Sequence, residues 1–140
     1  MPAKVLVVDD DESYRLLLSR YLVAAGYTVA VAAGSSAAIS IASDYKPDAL
    51  IIDWMLKDAV HGLDLMYALR EEGIHCPVIL ISGYLSIALE ASARDAGVAC
   101  ILAKPFSIDV LLREVEKACG SGVEGSKFKV QGSKFNVQSY

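Results

Sequence analysis

The chain has 140 residues, of which 54% are hydrophobic, and a formal net charge of −4 at pH 7. This length and this hydrophobic content suit one domain with a well-filled core. The acidic balance argues against direct binding to nucleic acid, which normally requires a basic surface.

The first half of the chain alternates apolar, strand-like runs with segments of helical periodicity. In chain order we predict a strand at 4–8, a helix at 11–25, a strand at 28–32, a helix at 35–43 and a strand at 49–53. Gly26 is positioned to end the first helix, and Ser35 or Ser36 can cap the second. Pro47 indicates the loop that leads into the third strand.

The second half continues the same alternation. We predict a polar loop at 57–61, a helix at 62–72, a strand at 78–82, a helix at 85–96, a strand at 99–103 and a last helix, capped by Ser107, that ends near 119. Strands this apolar are typical of a parallel sheet buried on both faces, whose crossovers are right-handed. The pattern therefore predicts an α/β, doubly wound, five-stranded parallel sheet with helices on both faces.

The last 21 residues differ in kind from the rest. Residues 125–131 and 132–138 form a tandem heptapeptide repeat, in which only Lys129 and Asn136 differ. Two copies are too few for a repeat architecture, so we predict a flexible tail at 120–140. The period-2 alternation of each copy leaves open an alternative, in which the tail adds as an edge strand to another sheet.

Short apolar stretches and scattered cysteines bear on the location of the protein. No stretch approaches the roughly 20 apolar residues that span a bilayer, and the N-terminus lacks the long apolar segment of a signal peptide. The three cysteines have neither zinc-site nor disulfide-framework spacing. We expect a cytoplasmic protein that does not act at a membrane.

Carboxylates follow two of the predicted strands. Asp9 and Asp10 come directly after the first strand, and Asp53 ends the third. Both strand ends lie at the carboxyl edge of the sheet, where open α/β folds bind their ligands. Three carboxylates at one edge repel one another, so we expect them to hold a divalent cation or to have shifted pKa values.

A hydroxyl and an ammonium are predicted at the same edge. Ser82 ends the fourth strand and Lys104 follows the fifth. Phosphoryl transfer to a carboxylate needs this combination: an acid nucleophile, acids that hold a metal, and donors that neutralise the phosphoryl oxygens.

With these residues, the chain resembles a receiver domain of a two-component response regulator, of the stand-alone kind found in chemotaxis. The matching motifs are Asp9-Asp10, Asp53, Ser82-Gly83 and Lys104-Pro105-Phe106. The resemblance covers about residues 3–119, so we assign 1–119 to a receiver domain. It implies the flavodoxin-like strand order 2-1-3-4-5.

The resemblance also implies a role for each site residue. Asp53 accepts the phosphoryl group, Lys104 pairs with the acyl phosphate and Ser82 bonds a phosphoryl oxygen. Mg²⁺ is the implied cofactor, ligated by Asp10, Asp53 and the main-chain carbonyl of Met55. Asp9 is implied to hold a metal-bound water, and the bond before Pro105 is implied to be cis.

The implied partners are a sensor histidine kinase or a histidine phosphotransfer protein, and a downstream effector. A partner helix is expected to dock on the first helix at Tyr14, Arg15 and Leu18. The chain would then be a monomer or weak dimer that acts by phosphorylation-dependent binding. It would not be an enzyme, beyond catalysing its own phosphorylation and dephosphorylation.

The chain departs from the family pattern at three positions. Ile101 occupies a position where Tyr or Phe is usual, so the aromatic switch of the family is not expected in its usual form. Ser82 replaces the commoner Thr but keeps the hydroxyl donor. Lys57 stands where a Pro is frequent in the loop after Asp53.

Two other functions remain open from the sequence. A pseudo-receiver that never takes phosphate would act as a constitutive interaction module, and Ile101 is compatible with it. An aspartyl-phosphate phosphatase of the haloacid-dehalogenase kind would need an acid two residues after the nucleophile, where this chain has Met55.

Overall fold

The computed structural model describes residues 2–56, 61–120 and 129–132. Its strands are β1 (Lys4–Val8), β2 (Thr28–Ala32), β3 (Ala49–Asp53), β4 (Val78–Ser82), β5 (Cys100–Ala103) and β6 (Lys129–Gly132). Its helices are α1 (Glu12–Ala24), α2 (Ser35–Tyr45), α3 (Gly62–Glu71), α4 (Ile87–Ala96) and α5 (Ile108–Cys119). The predicted loop at 57–61 lies outside the described residues except for His61.

The strands pair in parallel in the order β2-β1-β3-β4-β5-β6. The predicted order 2-1-3-4-5 is therefore confirmed, and the described structure adds one strand at the β5 edge. Strands β3 and β4 are buried along their whole length, as their lack of polar alternation indicates.

Local capping explains where the helices begin. The Asp11 carboxylate accepts from the backbone N–H groups of Ser13 and Tyr14, so α1 begins at Glu12. The Ser86 hydroxyl accepts from the N–H of Leu89, so α4 begins at Ile87, two residues later than predicted. Ser107 caps α5 as predicted, accepting from the N–H of Val110.

Two apolar layers hold the helices on opposite faces of the sheet. On one face, α1 and α5 pack through Leu18, Leu22, Leu111 and Val115 against β-strand side chains such as Ile51. On the other face, α2, α3 and α4 pack over a larger cluster that includes Leu50, Leu80 and Ile101. Because both faces are covered, polar side chains can gather only at the strand ends.

β6 comprises the last three residues of the first heptapeptide copy and Gly132 of the second, within the segment predicted as a tail at 120–140. It pairs in parallel with β5, with Val130 opposite Ile101. Val130 is half-buried against the core cluster that contains Ile101. The period-2 pattern does form a strand, but on the edge of its own sheet, and the rest of the repeat (125–128 and 133–138) lies outside the described residues.

Among the described residues, none of the helices has the length and apolar character needed to cross a membrane.

Candidate functional site

Three carboxylates meet at the carboxyl edge of the sheet. β1 and β3 are neighbours, with Val8 opposite Ile52, so the acids that follow Val8 lie beside Asp53. Asp9, Asp10 and Asp53 each offer a carboxylate oxygen, and these oxygens lie within 4.8 Å of one another. The three acids therefore lie together at the carboxyl edge of the sheet, as predicted from the sequence.

Lys104 and Ser82 reach the same edge from β5 and β4. Lys104 Nζ lies 3.9 Å from Asp9 Oδ2, and the backbone N–H of Lys104 donates to the Ser82 carbonyl at 2.8 Å. The Ser82 hydroxyl donates to the carbonyl of Tyr84 and accepts from the Tyr84 N–H at 3.1 Å. Ser82 is therefore at the site, with its hydroxyl engaged in a local turn. The Lys104–Pro105 bond is cis, as the resemblance implies.

The loop after β3 approaches the acids closely. The Met55 N–H donates to Asp53 Oδ1 at 3.2 Å, and the Gly62 N–H donates to the Trp54 carbonyl at 2.9 Å. A Cβ atom on Gly62 would lie only 2.8 Å from the Asp53 carbonyl oxygen, a distance that real Cβ atoms do not reach. Glycine is thus required at position 62 for the start of α3 to lie this close to the Asp53 backbone, a role that was not predicted from the sequence.

Arg15, predicted only as a docking residue, also contacts the acid turn of the site. Its Nη1 donates to the Asp9 carbonyl at 2.6 Å, so α1 is tied to the acid turn. The complete burial of Leu18 contradicts its expected place on an exposed docking surface, whereas Arg15 is partly exposed. The signal was weak because an Arg one turn into a helix is more often solvated. The hydrophobic periodicity of a helix does not predict a hydrogen bond from one of its side chains to a backbone carbonyl outside it.

Burial has the largest effect on the pKa values of Asp53 and Asp9. It raises the pKa of Asp53 to about 6, with a further contribution from the negative charge of Asp9, while Lys104 and the Met55 N–H act in the opposite direction. Burial also raises the pKa of Asp9, against the lowering effect of the Asp11 N–H, which donates to Asp9 Oδ1 at 2.9 Å. The expectation of shifted pKa values is met for both residues.

Asp9 carries an unsatisfied oxygen that fits a cation. Its Oδ2 is buried and, within the described part of the chain, has no hydrogen-bond partner. The Lys104 ammonium at 3.9 Å is too distant for a hydrogen bond. A buried, orphaned carboxylate oxygen beside two other carboxylates is a donor set that a hard divalent cation such as Mg²⁺ prefers. The residues present therefore fit the metal that the resemblance implies.

Comparison with known proteins settles the family. Residues 5–116 match the family model of the response regulator receiver domain. The chain belongs to the response regulator receiver domain family. Receiver domains serve in two-component signal transduction, and the family typically uses Mg²⁺ at its acidic pocket.

Two similar proteins of known sequence are named as response regulators and are longer than this chain. Response regulator MprA of Mycobacterium sp. (strain KMS) is 34% identical over 112 residues, which are 80% of this chain and 48% of that protein. The putative response regulator NtrX-like of Rickettsia felis is 34% identical over 116 residues, or 82% of this chain and 24% of that protein. This receiver chain thus spans about half, or less, of the length of these relatives.

Two similar solved structures are matched over nearly their whole length. The chemotaxis protein CheY4 of Vibrio cholerae matches with a TM-score of 0.79 and 28% identity, covering 84% of this chain and 99% of that one. The receiver domain of the Francisella response regulator 1452 matches with a TM-score of 0.73 and 32% identity, covering 81% and 93%. The receiver fold and the arrangement of strands are therefore shared across the whole domain.

Proposed function

We propose that this receiver is a Mg²⁺-dependent phosphoryl acceptor, phosphorylated on Asp53 by a sensor histidine kinase or a histidine phosphotransfer protein. Phosphorylation then controls its binding to a downstream effector. The observation that carries the proposal is the cluster of Asp9, Asp10 and Asp53 oxygens within 4.8 Å, with the Lys104 ammonium beside it. Family membership favours this role over that of a phosphatase.

In the proposed reaction, Asp53 is the nucleophile. One of its carboxylate oxygens forms a bond to phosphorus while the bond from phosphorus to the donor histidine nitrogen breaks, and the imidazole leaves with the electron pair. A pKa of about 6 keeps Asp53 ionised at neutral pH, and its burial leaves the anion poorly solvated and ready to react. No activity is proposed beyond phosphorylation and dephosphorylation of the chain itself.

The other site residues prepare the charge and the geometry. Lys104 supplies a positive charge for the phosphoryl oxygens, and the Ser82 hydroxyl exchanges its bond to the Tyr84 carbonyl for a phosphoryl oxygen. Asp10, Asp53 and the Met55 carbonyl would hold Mg²⁺, with Asp9 bound through a water, and the metal would neutralise phosphoryl charge when bound.

A gel-mobility experiment tests the proposal. The wild type is incubated with acetyl phosphate and Mg²⁺ and then separated on a gel that retards phosphorylated protein. A retarded band that EDTA prevents is the expected result. Unchanged mobility would support the alternative of a constitutive interaction module. That alternative is favoured only by Ile101, which is buried opposite Val130 in place of an aromatic residue.

Removal of Asp10 should abolish most of the response to metal. Mg²⁺ is expected to bind weakly and to raise the melting temperature of the wild type, because it binds only the folded acid cluster. In Asp10→Ala the shift should fall to a small fraction of the wild-type value. Asp44→Ala is the matched control, since Asp44 is an exposed acid on α2 away from the site. Equal shifts in wild type and Asp10→Ala would locate the ion elsewhere.

The corrected docking surface for a phosphodonor protein lies beside the site on α1. Leu17 and Tyr21 are 43% and 42% exposed and line a cavity of about 450 Å³ together with Phe106 and Ile108. An apolar cavity of this kind suits an apolar side chain on a partner helix.

Leu17→Glu should slow phosphoryl transfer from a phosphorylated histidine phosphotransfer protein by roughly tenfold, since a charge in an apolar contact typically costs about 1–2 kcal/mol. Phosphorylation by acetyl phosphate should be unchanged. Leu16→Glu, on the same helix but outside the cavity lining, is the control. Equal slowing with both donors would mean that the site itself was damaged.

A further inference from the structure

Tyr14 places an aromatic ring against the ammonium of the site. Lys104 Nζ lies 4.2 Å from the centroid of the Tyr14 ring, inside the range of a cation–π interaction. Tyr14 lies in the first turn of α1, where its backbone N–H is within 3.4 Å of the capping Asp11 carboxylate. The ring is therefore carried by a capped helix end and not by a loop.

The orientation of the Tyr14 ring is fixed by a second aromatic residue. Phe106 meets it edge to face, with centroids 6.2 Å apart and planes at 89°. This is a favourable geometry for an aromatic pair. Lys104 and Phe106 are only two residues apart, so one short segment contacts the same ring twice. The ring thus connects α1 to the segment that carries the lysine.

The lysine has little else to hold it. Its side chain is 29% exposed, and its nearest carboxylate, Asp9 Oδ2, is 3.9 Å from Nζ. A lysine stem has four rotatable bonds, and a contact of that length does not fix them. Among the described residues, the ammonium therefore has two close partners, the Tyr14 ring at 4.2 Å and the Asp9 carboxylate at 3.9 Å.

We propose that Tyr14 is a positioning residue for phosphoryl transfer, whose ring holds the Lys104 ammonium beside Asp53. The inference rests on the proposed function of Asp53 and Lys104. The ring, not the hydroxyl, performs this role. Burial and the nearby charges of Asp9 and Asp53 raise the pKa of Tyr14, so its phenol stays neutral and contributes no charge of its own.

Two substitutions of Tyr14 distinguish the contribution of its ring from that of its hydroxyl. Tyr14→Leu should slow phosphorylation by acetyl phosphate roughly two- to fivefold, the range that corresponds to one partly exposed cation–π contact. Tyr14→Phe should restore the wild-type rate because it keeps the ring. Tyr67→Leu is the matched control, since Tyr67 is an exposed tyrosine on α3 and, among the described residues, lies outside the cavity that Tyr14 and Lys104 line.

A spectroscopic signature tests the contact without any activity. The ε-methylene protons of Lys104 should be shifted upfield by the ring in wild type and in Tyr14→Phe, and should return to ordinary lysine values in Tyr14→Leu. Phe106→Leu, which removes only the edge contact, should give an intermediate shift and an intermediate rate. This second variant keeps the inference testable if Tyr14→Leu fails to fold.

Two results would overturn the positioning role while leaving the proposed function intact. One is a Tyr14→Leu variant that folds and is phosphorylated at the wild-type rate. The other is a Tyr14→Phe variant as slow as Tyr14→Leu, which would assign the effect to the hydroxyl. Failure of the wild type itself to incorporate a phosphoryl group would overturn the proposed function, and with it the role of Tyr14.

Discussion

Asp53→Asn is expected to abolish phosphorylation by acetyl phosphate while leaving the fold intact. An amide oxygen does not attack phosphorus as a carboxylate does, and no other described acid of the cluster is as well placed: Asp9 is turned toward Lys104 and the Asp11 N–H. The measurement is the retarded band on the gel, which should be lost completely. Asp44→Asn, an exposed change of the same chemistry on α2, should leave the band unchanged.

The same substitution should stabilise the protein at neutral pH without metal. Burial raises the folded-state pKa of Asp53 to about 6, against an ordinary value of 3.8. Well below pH 3.8 the carboxyl is protonated in both states and makes no difference. As the pH rises through 3.8 toward 6, the unfolded chain ionises first, so the wild type loses stability that the Asn variant keeps.

Urea unfolding in EDTA at pH 4 and pH 8 measures this effect. The free energy of unfolding of the Asn variant should exceed that of the wild type by about 1–3 kcal/mol at pH 8 and by only a small fraction of that difference at pH 4. Addition of Mg²⁺ at pH 8 should reduce the difference in the free energy of unfolding between the two proteins, because the metal stabilises the folded wild type by binding to its acids. An Asn variant less stable than wild type at pH 8 would mean that burial of the ionised Asp53 carboxylate does not destabilise the folded state.

The parallel strands and the site acids were predictable for the same physical reason. Strands buried on both faces lack polar alternation, so β1, β3 and β4 are recognisable as apolar runs, and the polar residues that end them mark the open edge. Asp53 and Ser82 could therefore be located without coordinates. Their juxtaposition follows from strand order, which local sequence alone does not contain and which the family resemblance supplied.

The residues that the sequence reading misjudged depend on three-dimensional choices. Leu17 and Leu18 both belong to the apolar stripe of α1, but only Leu18 is buried against the sheet. The 3.6-residue period identifies the stripe and does not show which residues at its edges are buried. Val130 has a strand-like pattern, but the edge that it pairs with is set by the sheet. Gly62 is needed because of a carbonyl nine residues earlier in the chain, and no local pattern records that approach.

The phosphorylated form is expected to be long-lived. Hydrolysis of an acyl phosphate on Asp53 needs a water in line with the scissile bond. By resemblance to the family, the residues two beyond the acceptor and two beyond the hydroxyl flank that approach. Here they are Met55 and Tyr84, and neither has a carboxylate or amide to orient a water.

The structure refines the reason for this expectation. The side chains of Met55 and Tyr84 are 60% and 73% exposed, so neither covers the site as a shield. The backbone of Tyr84 is held by two hydrogen bonds to the Ser82 hydroxyl. Slow hydrolysis therefore rests on the missing water-orienting group and not on steric protection.

The decay of phosphorylated protein in Mg²⁺, without any partner, measures the lifetime. Loss of a contact that positions the attacking water typically slows phosphoryl chemistry by roughly ten- to a thousandfold. Met55→Asn combined with Tyr84→Glu restores an amide and a carboxylate at these positions, and should shorten the lifetime by about tenfold or more. Tyr67→Glu, at an exposed tyrosine on α3, controls for the added charge. In the double variant both flanking positions carry a group that can orient water. If this variant decays no faster than wild type, these two positions do not control hydrolysis, and other residues determine the access of water.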